Sequence, residues 1–188
     1  MTTTTTIAPA TLDDLMRFDG KAELIDGKIV PIMPSGMLHA RAGRRILRSL
    51  CDLATASARG EAFGDSLGYA QDSKLPSGRQ SISPDVSYYV DTMPLNEEGF
   101  IHGSPSFAVE VRSEHDYGPK MNAEYEAKRK DYFFAGTLVV WDVDPRAKTV
   151  TKFTATDPLT PVVFVAGQVA DAEPAVPGWT LAIDALFA

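Results

Sequence analysis

The stretch FAVEVRSEHDYGPKMNAEYEAKRKDYFFAGTLVVWDVD, residues 107–144, decides the fold class. Its opening alternates: Phe107, Val109 and Val111 face one way, and Ala108, Glu110 and Arg112 the other, which is the period of a strand. Pro119 stands where a helix can begin without losing a needed N–H, and Gly136 stands where one can end. A helix is expected between them, to about Ala135. TLVVWDVD then reads as a strongly apolar strand, central in a sheet and covered on both faces.

Upstream, AELIDGKIVPI (22–32) reads as two short strands around an Asp26-Gly27 turn, a strong hairpin signal. From Leu38 to about Ala58 a helical pattern follows. Leu38, Ala42, Ile46, Leu50, Leu53 and Ala54 recur at three- and four-residue steps, and Gly60 ends it. EAFGDSLGYAQ reads as a strand interrupted by glycines, and LPSGRQ as a loop. SISPDVSYYV (81–90) carries another strand, and DTMPLNEEGFIHGSPS is a polar loop. From Thr149 onward come two or three further β pieces. The expected architecture is α/β (α+β): one mixed central sheet flanked by helices, with an N-terminal hairpin and extra C-terminal strands.

Composition bounds the function. The 188 residues carry 44% hydrophobic and 23% charged side chains, ordinary values for one globular domain. Residues 1–10, MTTTTTIAPA, read as a disordered lead-in without the features of a secretory signal, and 11–188 as a single domain. No run approaches the roughly 20 apolar residues that span a bilayer. Cys51 is the one cysteine, so no internal disulfide forms and the cytoplasm is the expected location. Cys51 is expected on the apolar side of the first helix, as a buried, inert thiol. The net charge of −7 argues against loose, non-specific nucleic-acid binding, so contact with DNA needs a local basic patch.

Two acidic residues stand out. Asp85 sits at the mouth of an apolar strand, and Glu110 sits inside another. A carboxylate in such a place must be solvated, paired or bound to a metal. If the strands are neighbours, both carboxylates converge on one spot and suit a hard cation such as Mg2+. The plain alternative is a structural Glu110–Arg112 pair on one strand face. On the second helix, Lys120, Glu124 and Lys128 form a stripe at four-residue steps. This is either a solvated face with a Glu124–Lys128 pair or a lysine reaching back over the Glu110 strand.

PDVSYYV, then FAVEVRS, then a helix with Lys128 four residues before Tyr132, then AGTLVVWDVDP together resemble the Uma2 family, also called DUF820. The early AELIDGKIVPIMPSGMLHA, with Glu23 and His39, fits the same pattern. The resemblance covers roughly residues 22–145. It implies a PD-(D/E)XK, restriction-endonuclease-like fold and a metal-dependent cut in DNA that leaves a 5′-phosphate. It also implies the roles. Asp85 and Glu110 hold Mg2+ or Mn2+ with the backbone carbonyl of Val111. Lys128 acts as the motif lysine, moved onto the helix. Glu23 adds a carboxylate. His39 meets substrate or a metal-held water, or makes only a local bond at a helix start. Arg112 stands where the usual motif has lysine; it stays protonated and serves as a charge stabiliser, not a base. Lys120 is the rival for the lysine role.

Arg41, Arg44, Arg45 and Arg48 cluster on the first helix, with Arg41, Arg45 and Arg48 sharing a face. They are either solvated or phosphate-facing. His102 and His115 lack zinc-site spacing. The apolar content of the C-terminal segment, 162–188, points to self-association as a homodimer. The alternative to an enzyme is an interaction module that keeps the fold with little turnover.

Overall fold

The structure, a computed structural model, describes residues 8–90 and 98–188. Most of the expected lead-in and the first part of the polar loop (91–97) lie outside the described residues. The elements run in chain order α1 (Leu12–Met16), β1 (Ala22–Ile25), β2 (Lys28–Pro31), α2 (Met37–Ser57), β3 (Glu61–Gly64) and β4 (Tyr69–Ala70). Then come β5 (Ser81–Ile82), β6 (Val86–Tyr89), β7 (Ile101–His102), β8 (Phe107–Val111), α3 (Pro119–Ala135) and β9 (Val139–Asp144). The chain closes with β10 (Thr149–Thr154), β11 (Asp157–Phe164), β12 (Val169–Asp171), β13 (Thr180–Ala182) and α4 (Ile183–Phe187).

Six strands form the central sheet in the order β11-β10-β9-β8-β6-β3. β8 and β9 pair in parallel through the α3 crossover, and the other neighbours are antiparallel. The sheet is therefore mixed, as the sequence implies. Every residue of β8 is buried, because β6 and β9 flank it and helices cover both faces. The Asp26-Gly27 hairpin forms with both turn residues at positive φ, +48° and +70°, as a tight two-residue turn requires. Ala10 N–H donates to Gly27 O and ties residues 8–10 to this turn.

The alternation of β8 sorts the core. Phe107, Val109 and Val111 pack with Trp141, Trp179 and the Ala42, Ile46 and Leu50 stripe of α2. Ala108 packs on the opposite face with Tyr132 and Val140. Phe107 meets Trp141 edge-on with ring centres 5.2 Å apart, and Trp141 tilts against Trp179 at 5.1 Å. Such aromatic pairs add about 0.5–1.5 kcal/mol each beyond their buried area.

Three expectations need correction. Cys51 is exposed. It lies one residue past Leu50, about 100° around the helix, and so misses the buried stripe. Leu38 is also exposed, because the packed stripe begins at His39 and Ala42. EAFGDSLGYAQ is not one strand: β3 joins the central sheet, while β4 joins a separate sheet with β5 and β7. The apolar residues of the C-terminal segment divide: Val162, Val163, Val165 and Val169 stay exposed. Ala170, Val176, Trp179, Ile183 and Leu186 enter the main core, and Trp179 Nε1 donates to Ser49 Oγ at 3.0 Å.

Adjacent helix positions therefore differ sharply in energetic weight. Leu50→Ala is expected to lower unfolding free energy by about 2–5 kcal/mol. Cys51→Ala is expected to stay within about 0.5 kcal/mol of the parent. Urea unfolding of both proteins checks the contrast.

Candidate functional site

The site grows from sheet register. Val86 of β6 pairs with Val109 of β8 in an antiparallel ladder, and Asp85 N–H donates to Val109 O at 3.1 Å. One step outward, Asp85 therefore lies across from Glu110. Asp85 Oδ2 accepts from Val111 N–H at 2.7 Å, which pins the carboxylate over the end of β8. His39 Nε2 approaches the same oxygen at 3.1 Å, and Lys21 Nζ lies 3.8 Å from Oδ1.

Glu110 is held from the helix side. Tyr132 Oη donates to its Oε1 at 2.6 Å. Lys128 Nζ lies 2.9 Å from Oε1 and 3.0 Å from Oε2. Lys128 and Tyr132 are four residues apart on α3, so both reach one carboxylate. Lys128 is also 3.2 Å from Glu23 Oε1 and 3.3 Å from Ser83 O. Glu23 is held in turn. Ser83 N–H donates to Oε1 at 3.1 Å, and Arg79 Nε donates to Oε2 at 3.0 Å. Arg79 is itself buried and reaches Asp131 and Glu124 as well.

This arrangement resolves several sequence alternatives. Glu110 pairs with Lys128 and not with Arg112. Arg112 instead donates to Asp116 O at 2.6 Å and stacks over the Tyr125 ring, 4.4 Å from its centre. Glu124 pairs with Arg79 and not with Lys128. Of the two rival lysines, Lys128 is the one among the carboxylates, while Lys120 is exposed. Val111 reaches the site through its N–H, and its carbonyl accepts from Tyr125 Oη at 3.3 Å. The arginine group divides. Arg44 lines the cavity beside Asp85, whereas Arg45 donates to Leu186 O at 2.9 Å, against α4.

Arg79 and Lys21 have no sequence signal. Arg79 sits in a polar turn, and its partners are 45–56 positions away. Tyr132 does have one, because it follows Lys128 by one helical turn.

Burial sets the electrostatics. It pushes the Glu110 carboxyl up to about 7 against the pull of Lys128, and the nearby charge of Asp85 adds to the push. Burial also opposes charge on Asp85, but His39, Lys128 and Lys21 hold it below the ordinary carboxylate range. Glu23 is likewise held low, by Lys128 and Arg79 against its burial. Burial works against the Lys128 ammonium, yet Glu110, Glu23 and Asp85 keep it above the usual lysine value. His39 is raised by Asp85 in spite of its own burial.

Among the described residues no group of three or more His, Cys, Asp and Glu side chains is placed to hold a metal ion. The donors that do converge are two carboxylates and no sulfur. That chemistry fits Mg2+, which is commonly held by one or two carboxylates with water completing its shell. Among the described residues, Asp85 Oδ1 has only the long approach to Lys21, and Asp85 lines a cavity of about 730 Å3.

Fold and cluster together define a restriction-endonuclease-like α/β protein. The family model described as "Putative restriction endonuclease", Uma2, matches residues 10–184, and the chain belongs to that family. The crystal structure of "a putative nuclease belonging to DUF820" from Anabaena variabilis ATCC 29413 is similar, with a TM-score of 0.71 at 22% identity. The match covers 95% of this chain and 98% of that one. No curated protein matches. No helix among the described residues is long and apolar enough to cross a membrane.

Removing the Lys128 ammonium leaves Glu110 buried beside Asp85 without its cation. Glu110 in the folded chain already holds its proton to higher pH than its ordinary value of 4.5. Its contribution to stability therefore falls as pH rises from about 4.5 through about 7. Without Lys128 that loss continues to higher pH. Lys128→Met is expected to cost about 3–5 kcal/mol at pH 8 and clearly less at pH 5.5. Thermal unfolding of both proteins at the two pH values checks the sign.

Proposed function

We propose that this chain is a divalent-metal-dependent endonuclease that hydrolyses phosphodiester bonds in DNA. The observation that carries the reading is the register that sets Asp85 across from Glu110, with Lys128 bridging Glu110 and Glu23. Membership of the family described as "Putative restriction endonuclease" supports it.

On this reading Asp85 and Glu110 hold Mg2+ or Mn2+, which when bound supplies Lewis-acid neutralisation of charge on the phosphoryl oxygens. Val111 N–H fixes Asp85 in place, and the Val111 carbonyl joins the two carboxylates toward the metal as the family pattern implies. Lys128 Nζ steadies the charge of the site and orients the attacking water beside Glu110. Glu23 adds a carboxylate that positions Lys128, 3.2 Å from its Oε1. His39 Nε2 holds its proton toward Asp85 Oδ2 and fixes the carboxylate in one orientation. Arg112 acts on the substrate side as a fixed positive charge.

A second reading has an observation of its own. Lys128 Nζ is surrounded by acceptors of the protein itself, Glu110, Glu23 and Ser83 O, and the chain carries a net charge of −7. A chain with this geometry that binds partners and turns over little is consistent with both facts.

One assay separates the two. Supercoiled plasmid and labelled oligonucleotides are incubated with the protein in Mg2+, Mn2+ or EDTA. Asp85→Asn, Glu110→Gln and Lys128→Ala are purified identically. The endonuclease reading expects metal-dependent cutting that falls by about 10²–10³-fold in each variant, the scale of losing one preorganised electrostatic partner. Equal trace cutting in the parent and all variants would favour the interaction reading.

A further inference from the structure

The reactive groups are recessed. Side-chain exposure is 14% at Asp85, 9% at Glu110 and 15% at Lys128. Two concavities adjoin them, and His39 lines both. The larger, about 730 Å3, has an apolar wall of Phe18, Ile32, Met33 and Leu47. Its charge is mixed, with Lys21 and Arg44 against Asp19, Asp65 and Asp85. The smaller, about 190 Å3, carries Arg112 and Arg146 with Tyr117 and one carboxylate, Glu114. Both guanidinium groups lie over the Tyr117 ring, at 5.8 Å and 4.6 Å from its centre.

Intact duplex DNA suits this surface poorly. It is stiff, with a persistence length of about 150 base pairs, and its phosphates ride on a convex cylinder. Its affinity comes from neutralising many phosphates on a continuous basic face. Here the chemistry is sunk below the surface and the cavity charge alternates in sign. The chain as a whole is acidic. What the larger cavity does offer is an aromatic and aliphatic wall, to which an unstacked base adheres whatever its identity.

We propose that the site takes an unpaired DNA strand. A base rests against Phe18 and Met33 in the larger cavity, the backbone passes His39 and Asp85, and an adjoining phosphate is received by Arg112 and Arg146. The proposal rests on the endonuclease reading and names its substrate class. It also accounts for Arg112 turning away from Glu110: the guanidinium is stacked on Tyr125 and available to a phosphate one step along the strand.

The test measures binding without turnover. Fluorescence anisotropy in EDTA follows a labelled oligothymidylate and the same strand annealed to its complement. The single strand is expected to bind at least about tenfold tighter than the duplex. Phe18 also packs against the small core under β1, so Phe18→Leu is the informative variant: it keeps apolar bulk and removes the ring. It is expected to weaken single-strand binding by about fivefold or more, the scale of losing one base stack. Arg146→Ala is expected to flatten the slope of log affinity against log salt by about 0.7, the value of one phosphate contact on a single strand. Lys130→Ala, in an exposed pair with Glu126 on α3, serves as the control without effect. Duplex binding as tight as single-strand binding would overturn the proposal, and so would unchanged affinity in both Phe18→Leu and Arg146→Ala. The two readings fail separately. Phe18-dependent single-strand binding without any cutting removes the endonuclease and leaves the strand site. Cutting of duplex through Asp85 and Glu110 without strand preference does the reverse.

Discussion

A carboxylate inside a central strand is the constraint on which this structure turns. Glu110 belongs to β8, whose every residue is buried, and an unpaired charge there is costly enough to oppose folding. The fold answers with a helix whose inward face is polar. α3 presents Lys128, Asp131 and Tyr132 to the sheet, where an ordinary crossover helix would present leucines. Those groups need partners in turn, and the demand spreads outward. Lys128 takes Glu23 from the hairpin, Glu23 takes Arg79 from the turn before β5, and Arg79 takes Asp131 and Glu124 back on α3. The network returns to α3, with two cations, Lys128 and Arg79, shared among the carboxylates of Glu110, Glu23, Asp131 and Glu124. Such networks are high-stakes, because a half-satisfied one is worse than an apolar core.

Asp85 is arranged differently. Its surroundings favour the ionised form, and it lies where the cavity meets the sheet. Glu110 is pushed the other way by deeper burial. Two neighbouring carboxylates are thus driven toward opposite protonation states by their surroundings.

Much of this was legible in the sequence, for local reasons. The alternation of 107–111, the proline and glycine bounding α3, the Asp26-Gly27 turn and the apolar run of β9 each express a short-range rule, and each element forms where that rule puts it. The meeting of Asp85 and Glu110 was legible as a condition, that their strands be neighbours, and Lys128 was one of two rival lysines on the α3 stripe. What stayed hidden is long-range. Arg79 looks like any arginine in a polar turn, because its partners arrive only when hairpin, turn and α3 meet. Lys21 is unremarkable next to a hairpin for the same reason. Cys51 and Leu38 were misplaced because a helical stripe drawn from spacing is wider than the stripe that packs. How the C-terminal apolar residues divide was hidden as well: Leu186 enters the core beside α2, while Val162, Val163, Val165 and Val169 stay exposed.

The position of Glu23 has one more consequence, for the pairing of the hairpin. β1 is only four residues long, and short strands with apolar residues on both sides can slide against their neighbours. A slip by one position would bring Ala22 or Leu24 to the place of Glu23, and Arg79 and Lys128 would each lose an anion in a dry interior. Misaligned hairpins are therefore penalised by charge where hydrophobicity alone would barely distinguish them. The same glutamate that holds the lysine thus acts as an alignment key, admitting one register of the chain and rejecting its near neighbours.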